Sequence, residues 1–147
     1  MKTLIQNGRL VDESSGLNGV GDLAMADGHI VAVGKVPSEF TPDVRFDAKD
    51  CVVSPGLVDL CARLGEPGHE HEGMLHTEMR AAVAGGVTTL VCPPDTDPVL
   101  DESGLVDMLV FRVGQLGLGR VLPLGALTRG LNGEVLTELA ALTSAGC

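Results

Sequence analysis

Tryptophan and tyrosine are absent from the 147 residues and phenylalanine occurs only three times, so the core must be mostly aliphatic. At 44% hydrophobic the chain can bury such a core, which excludes disorder along its whole length. Basic clusters are missing too: 20 acidic side chains stand against 10 basic ones, a formal net charge of −10. Without them no counterion release drives binding to nucleic acid or anionic lipid, and neither is expected as a partner. No apolar run approaches the roughly 18 residues of a membrane helix. The first five residues give way to polar Gln6-Asn7-Gly8 too soon for a signal peptide. Cys51, Cys61, Cys92 and Cys147 form neither a Cys-x-x-Cys pair nor a disulfide framework. Reduced thiols in a soluble, cytoplasmic protein are therefore expected.

What is present falls into two stretches. Residues 1–54 are short apolar runs separated by turn signals, a small all-β segment in which Asn7-Gly8 and Asp27-Gly28 mark turns. The Asp-Gly pair predicts an antiparallel hairpin between 23–25 and 30–33, followed by a loop over 37–42 and a return strand over 52–54. Residues 55–147 read as apolar run, loop and helix in turn. They predict buried strand 57–60, helix 74–84 stopped by Gly85-Gly86, strand 87–92, helix 103–116, strand 121–125 and helix 134–144. In the second helix Leu105, Met108, Leu109 and Arg112 share one face by spacing. Three successive β-then-α units argue for a parallel sheet or barrel. A (β/α)8 barrel takes about 250 residues, so the expectation is the N-terminal part of something longer. A free-standing three-stranded α/β domain would leave apolar edge strands uncovered.

Val53-Ser54-Pro55-Gly56-Leu57-Val58-Asp59, followed by Leu64-Gly65-Glu66-Pro67-Gly68, resembles the start of the barrel in the amidohydrolase superfamily, and within it the dihydroorotase family. The likeness continues from Ala81 through Gly85-Gly86-Val87-Thr88-Thr89 to Cys92-Pro93-Pro94-Asp95-Thr96, and again through Leu124-Gly125-Ala126-Leu127-Thr128-Arg129-Gly130. It implies an α/β fold: the first three or so units of an amidohydrolase-type (β/α)8 TIM barrel over 55–147, preceded by a β-sandwich segment over 1–54.

The resemblance also implies where chemistry has been lost. Active relatives carry Asp-x-His-x-His on the first barrel strand, where alternate residues face one side and both imidazoles reach one metal. Here the run is Asp59-Leu60-Cys61-Ala62-Arg63. Cys61 is one possible thiolate. Arg63 ligates nothing, and at about 5 Å and an effective dielectric of about 20 it would repel a divalent ion by roughly 7 kcal/mol. Cys61 is therefore read as a packing residue and Arg63 as filling or bordering the vacated site. The family's His-Leu-Arg-Glu-Pro-Gly and Met-Pro-Asn-Thr motifs supply an arginine and an asparagine that hold a substrate carboxylate. This chain has Gly65 and Asp95 instead, a change that disfavours an anionic substrate.

His69 and His71, with His76 nearby, are read as belonging to a solvated acidic stretch rather than a displaced metal site, His29 as a surface or satisfied histidine, and Asp59 as a structural acceptor. The resemblance then implies an inactive dihydroorotase-like protein of pyrimidine biosynthesis: no catalytic residues, no zinc, and a structural role as partner of the aspartate carbamoyltransferase catalytic subunit, with homodimerisation inside a larger hetero-oligomer. The alternative is an active metal-dependent cyclic amidohydrolase, of dihydroorotase or hydantoinase type, whose ligands lie outside the His-x-His positions.

Overall fold

In the computed structural model, which describes residues 1–147, Asp27 and Gly28 both take positive φ (51° and 79°), as a two-residue hairpin turn requires. They join β2 (Leu17–Ala26) to β3 (His29–Gly34), with Leu23 opposite Val33 and Ala24 opposite Ala32. The chain divides into two compact units, Met1–Pro55 and Gly56–Cys147. In the first, β1 (Lys2–Asp12) lies antiparallel to β2 and parallel to β4 (Val44–Asp47) and β5 (Val52–Val53). Leu4, Leu10 and Ala24 are buried there.

Two features of this unit differ from the sequence expectation. Asn7-Gly8 is no turn: β1 runs straight through it, and the register with β2 slips between Ile5 and Gly8. Asn7 takes φ +63° inside the strand, its N–H bonded to Asp22 Oδ1 and its side-chain amide to Asp47 Oδ1, both at 2.9 Å. A bulge uses the same left-handed residue as a turn, so the dipeptide alone does not distinguish them. Strand β4 has no clear signal in the sequence, because Val44-Arg45-Phe46-Asp47 carries two charges in four residues.

The second unit is a parallel sheet in the order β6 (Leu57–Asp59), β7 (Val87–Cys92), β8 (Arg120–Pro123). Helices α1 (Leu75–Ala84), α2 (Ser103–Leu116) and α3 (Leu139–Ala145) belong to it. Its core joins Leu75 and Met79 of α1, Leu90 and Cys92 of β7, Leu109 and Val113 of α2, and Val121 of β8, with Leu64 and Leu100 from loops. Within residues 1–147, where β7 is the one strand paired with β6, Leu57, Val58 and Leu60 of the strand predicted as buried are exposed. The third helix begins five residues later than predicted, since residues 135–137 are taken up by loop bonds. Arg129 N–H reaches Val135 O at 2.8 Å, Thr137 N–H reaches Leu127 O at 3.1 Å, and Thr137 Oγ1 donates to Ala126 O at 2.7 Å. No helix is long and apolar enough to cross a membrane.

Candidate functional site

Parallel strands place the loops that follow them at one end of the sheet, and the loops after β6 and β7 meet there around a cavity of about 460 Å³. Arg63, Gly65 and Asp95 line it together with His69, Glu72 and Glu78. Two residues singled out on separate motifs prove to be partners. Arg63 Nε–H and Nη2–H both donate to Asp95 Oδ2, at 2.9 and 2.7 Å. The hydrogen bond and charge of Asp95 raise the Arg63 pKa above its ordinary value. Both side chains remain open to solvent, 67% and 40% exposed, so the pair adds little to stability. Its effect is local: each group offsets the other's charge in the lining of the cavity. The repulsion that Asp95 brings to an anionic ligand and the one that Arg63 brings to a cation are thereby both reduced relative to the sequence reading.

Cys61 is exposed within residues 1–147 rather than packed as the sequence reading has it, and lies outside that lining; its N–H donates to Asp59 Oδ1 at 2.9 Å, which gives Asp59 a structural acceptor's bond. Cys92 does line the cavity, and burial pushes its thiol pKa up. His69 and His71 have ring centroids 6.2 Å apart, and His71 is exposed beside Glu72. No three His, Cys, Asp or Glu side chains converge closely enough to hold a metal ion. Within residues 1–147 the donor set does not fit the zinc centre that active relatives are expected to carry.

Gly65 is more than a missing arginine. It sits at φ +73°, and a Cβ there would run into the carbonyl oxygen of Gly73. The loop is closed on itself by His69 N–H to Gly65 O at 2.8 Å, Glu72 N–H to His69 O at 2.9 Å and Gly73 N–H to His69 O at 3.3 Å. Replacing Gly65 by arginine should therefore cost about 2 kcal/mol or more, from the left-handed backbone and the collision together. Urea unfolding of the variant measures this; an unchanged midpoint would show that the loop yields freely.

Sequence reasoning missed the most buried charge of the unit. Glu66 is 2% exposed; its Oε1 accepts the Leu75 N–H at 2.8 Å, capping α1 from outside the helix. Arg112 of α2 meets the other oxygen as an ion pair, without the alignment of a hydrogen bond. The signal was present: an arginine on the stripe of Leu105, Met108 and Leu109 needs a carboxylate at the core's edge.

The model of the Dihydro-orotase-like family matches residues 50–147. A dihydroorotase-like protein of Pseudomonas aeruginosa is 45% identical over all 147 residues, which cover 35% of its length. A protein named dihydroorotase from Pelobacter propionicus is 42% identical over the same residues, again 35% of its length. This chain thus spans about a third of the curated relatives it matches. Among solved structures, the L-hydantoinase of Arthrobacter aurescens superposes with a TM-score of 0.75 over 86% of this chain and 28% of its own, at 23% identity. Molinate hydrolase does so with a TM-score of 0.62 over 86% of this chain and 30% of its own, at 24% identity. At those identities the likeness concerns the fold, an α/β arrangement of the amidohydrolase TIM-barrel type. Motifs, family match and relatives agree, and the chain belongs to the dihydroorotase-like family.

Proposed function

We propose that this chain is part of a noncatalytic dihydroorotase-like protein of pyrimidine biosynthesis, a cytoplasmic scaffold required for assembly or activity of the aspartate carbamoyltransferase catalytic subunit. It carries no zinc, and it dimerises within the larger hetero-oligomer. The observation that carries this reading is the Arg63–Asp95 pair. Where the family resemblance calls for an imidazole and a substrate-binding amide, this chain has two opposite charges bonded to each other. The packing around them is intact, from the Glu66 cap of α1 to the apolar core of β7 and α2. A barrel kept folded while its reactive groups are replaced is most simply explained by a binding role, since function resides in sites rather than in folds.

The test is reconstitution. Full-length protein mixed with the aspartate carbamoyltransferase catalytic subunit should form a complex that sediments as one species, and transcarbamoylase activity should fall when it is left out. Separate sedimentation at micromolar concentrations, with full transcarbamoylase activity from the catalytic subunit alone, would overturn the proposal. The similarity to proteins named dihydroorotase favours a second reading, an active cyclic amidohydrolase with ligands outside the His-x-His positions. A carbamoyl aspartate cyclisation that depends on bound metal would establish it.

A further inference from the structure

Between the end of β6 and the start of α1 the chain makes a loop whose Gly65, His69, Glu72 and Gly73 line the cavity. Its backbone bonds close it on itself and tie it to the loop after β7, through Asp97 N–H to Pro67 O at 3.1 Å. Within 65–73 one side chain alone reaches the helices by hydrogen bond or ion pair. It is Glu66, which accepts from Leu75 N–H with one oxygen and meets Arg112 of α2 with the other. We propose that Glu66 and Arg112 form a latch through which α2 positions this cavity-lining loop, so that its conformation is set from the helix layer and not by its own bonds alone. The coupling requires neither turnover nor a bound partner.

Three observations support it, all of them contacts inside the second unit. Leu64 and Leu75 are each 2% exposed and anchor the two ends of the loop, and Glu66 is the one buried residue between them. A segment with so little buried surface has a low opening free energy of its own, so a single tie can dominate it. The other end of the latch is firm, because Arg112 rises from α2 between Leu109 and Val113, both members of the core. A carboxylate as buried as Glu66 is held there by its charged partner. Without that partner it gains by turning to water, and the backbone of 65–73 must shift to let it. Glu70 also feels the Arg112 charge, but it is exposed and folded back onto the Gly68 N–H at 3.1 Å, so solvent weakens its hold on α2.

The experiment is hydrogen–deuterium exchange of the full-length protein, read by mass spectrometry on fragments spanning 65–75 and 87–92. The decisive variant carries Glu66→Gln with Arg112→Met: the glutamine keeps an acceptor for the Leu75 N–H and no charge is buried, but the latch is gone. Its 65–75 fragment should exchange about ten-fold faster than in the unmodified protein, while the 87–92 fragment, in β7, should keep its rate. Arg112→Met alone, which leaves the carboxylate stranded, should loosen 65–75 at least as much. A merely structural role for the pair would speed both fragments by the same factor, since all amides would then exchange through the same global opening. That outcome in the double variant, or an unchanged 65–75 fragment, would overturn the proposal.

Discussion

Arg112→Ala should destabilise the second unit by about 3 kcal/mol, more than removal of its partner Glu66. The asymmetry follows from burial. Glu66 is 2% exposed whereas the Arg112 side chain is 47% exposed, so deleting the arginine strands a carboxylate in the core's edge, while deleting the carboxylate leaves a guanidinium that water can reach. An uncompensated buried charge costs far more than a lost exposed one. Glu66→Ala removes the acceptor for the Leu75 N–H as well, but a lost cap is typically worth about 1 kcal/mol. Changing both residues, Glu66→Gln with Arg112→Met, should be less harmful than Arg112→Met alone, because no charge is left without a partner. Urea denaturation of the four proteins checks this through the unfolding midpoints, provided the slopes stay equal. If Arg112→Ala proves harmless, the ion pair is incidental and the α1 cap stands without it.

The second large effect concerns metal. Full-length protein, exhaustively dialysed, should retain far less than one zinc per chain. A structural zinc site draws about 10–16 kcal/mol from a complete set of deprotonated ligands. The end of β6 offers one exposed thiol at Cys61, with a guanidinium at Arg63 where a second ligand is needed, and no three His, Cys, Asp or Glu side chains converge to hold a metal. The Arg63 charge is compensated by Asp95, so the shortage of ligands weighs more than electrostatic repulsion. Elemental analysis decides the point. One tightly held zinc that disappears with Cys61→Ser would contradict this account, and zinc that survives that change would identify ligands outside residues 1–147.

Regular local patterns were legible in the sequence. The 103–116 helix was predicted with both ends correct, because an apolar stripe at helical spacing runs over 14 residues there. The Asp27-Gly28 hairpin is legible because Asp-Gly is among the few pairs that readily take two positive φ angles. Long-range information was not legible. Nothing local in Asn7-Gly8 separates a bulge from a turn, and nothing in residues 135–137 shows that they are already bonded to the Ala126–Arg129 stretch. The site divides the same way. Cys61, Arg63, Gly65 and Asp95 could each be picked out by comparison with the family motifs. That Arg63 and Asp95, 32 residues apart, bond to each other depends on the parallel pairing of β6 with β7. The same holds for Glu66, whose partners lie on two different helices.

The measurement that bears most directly on the central claim is the turnover of carbamoyl aspartate and dihydroorotate by the full-length protein, assayed with added zinc and again with a chelator. The account predicts no rate above buffer in either direction under either condition, from a protein that nonetheless melts cooperatively. A steady rate that zinc raises and the chelator abolishes would contradict it.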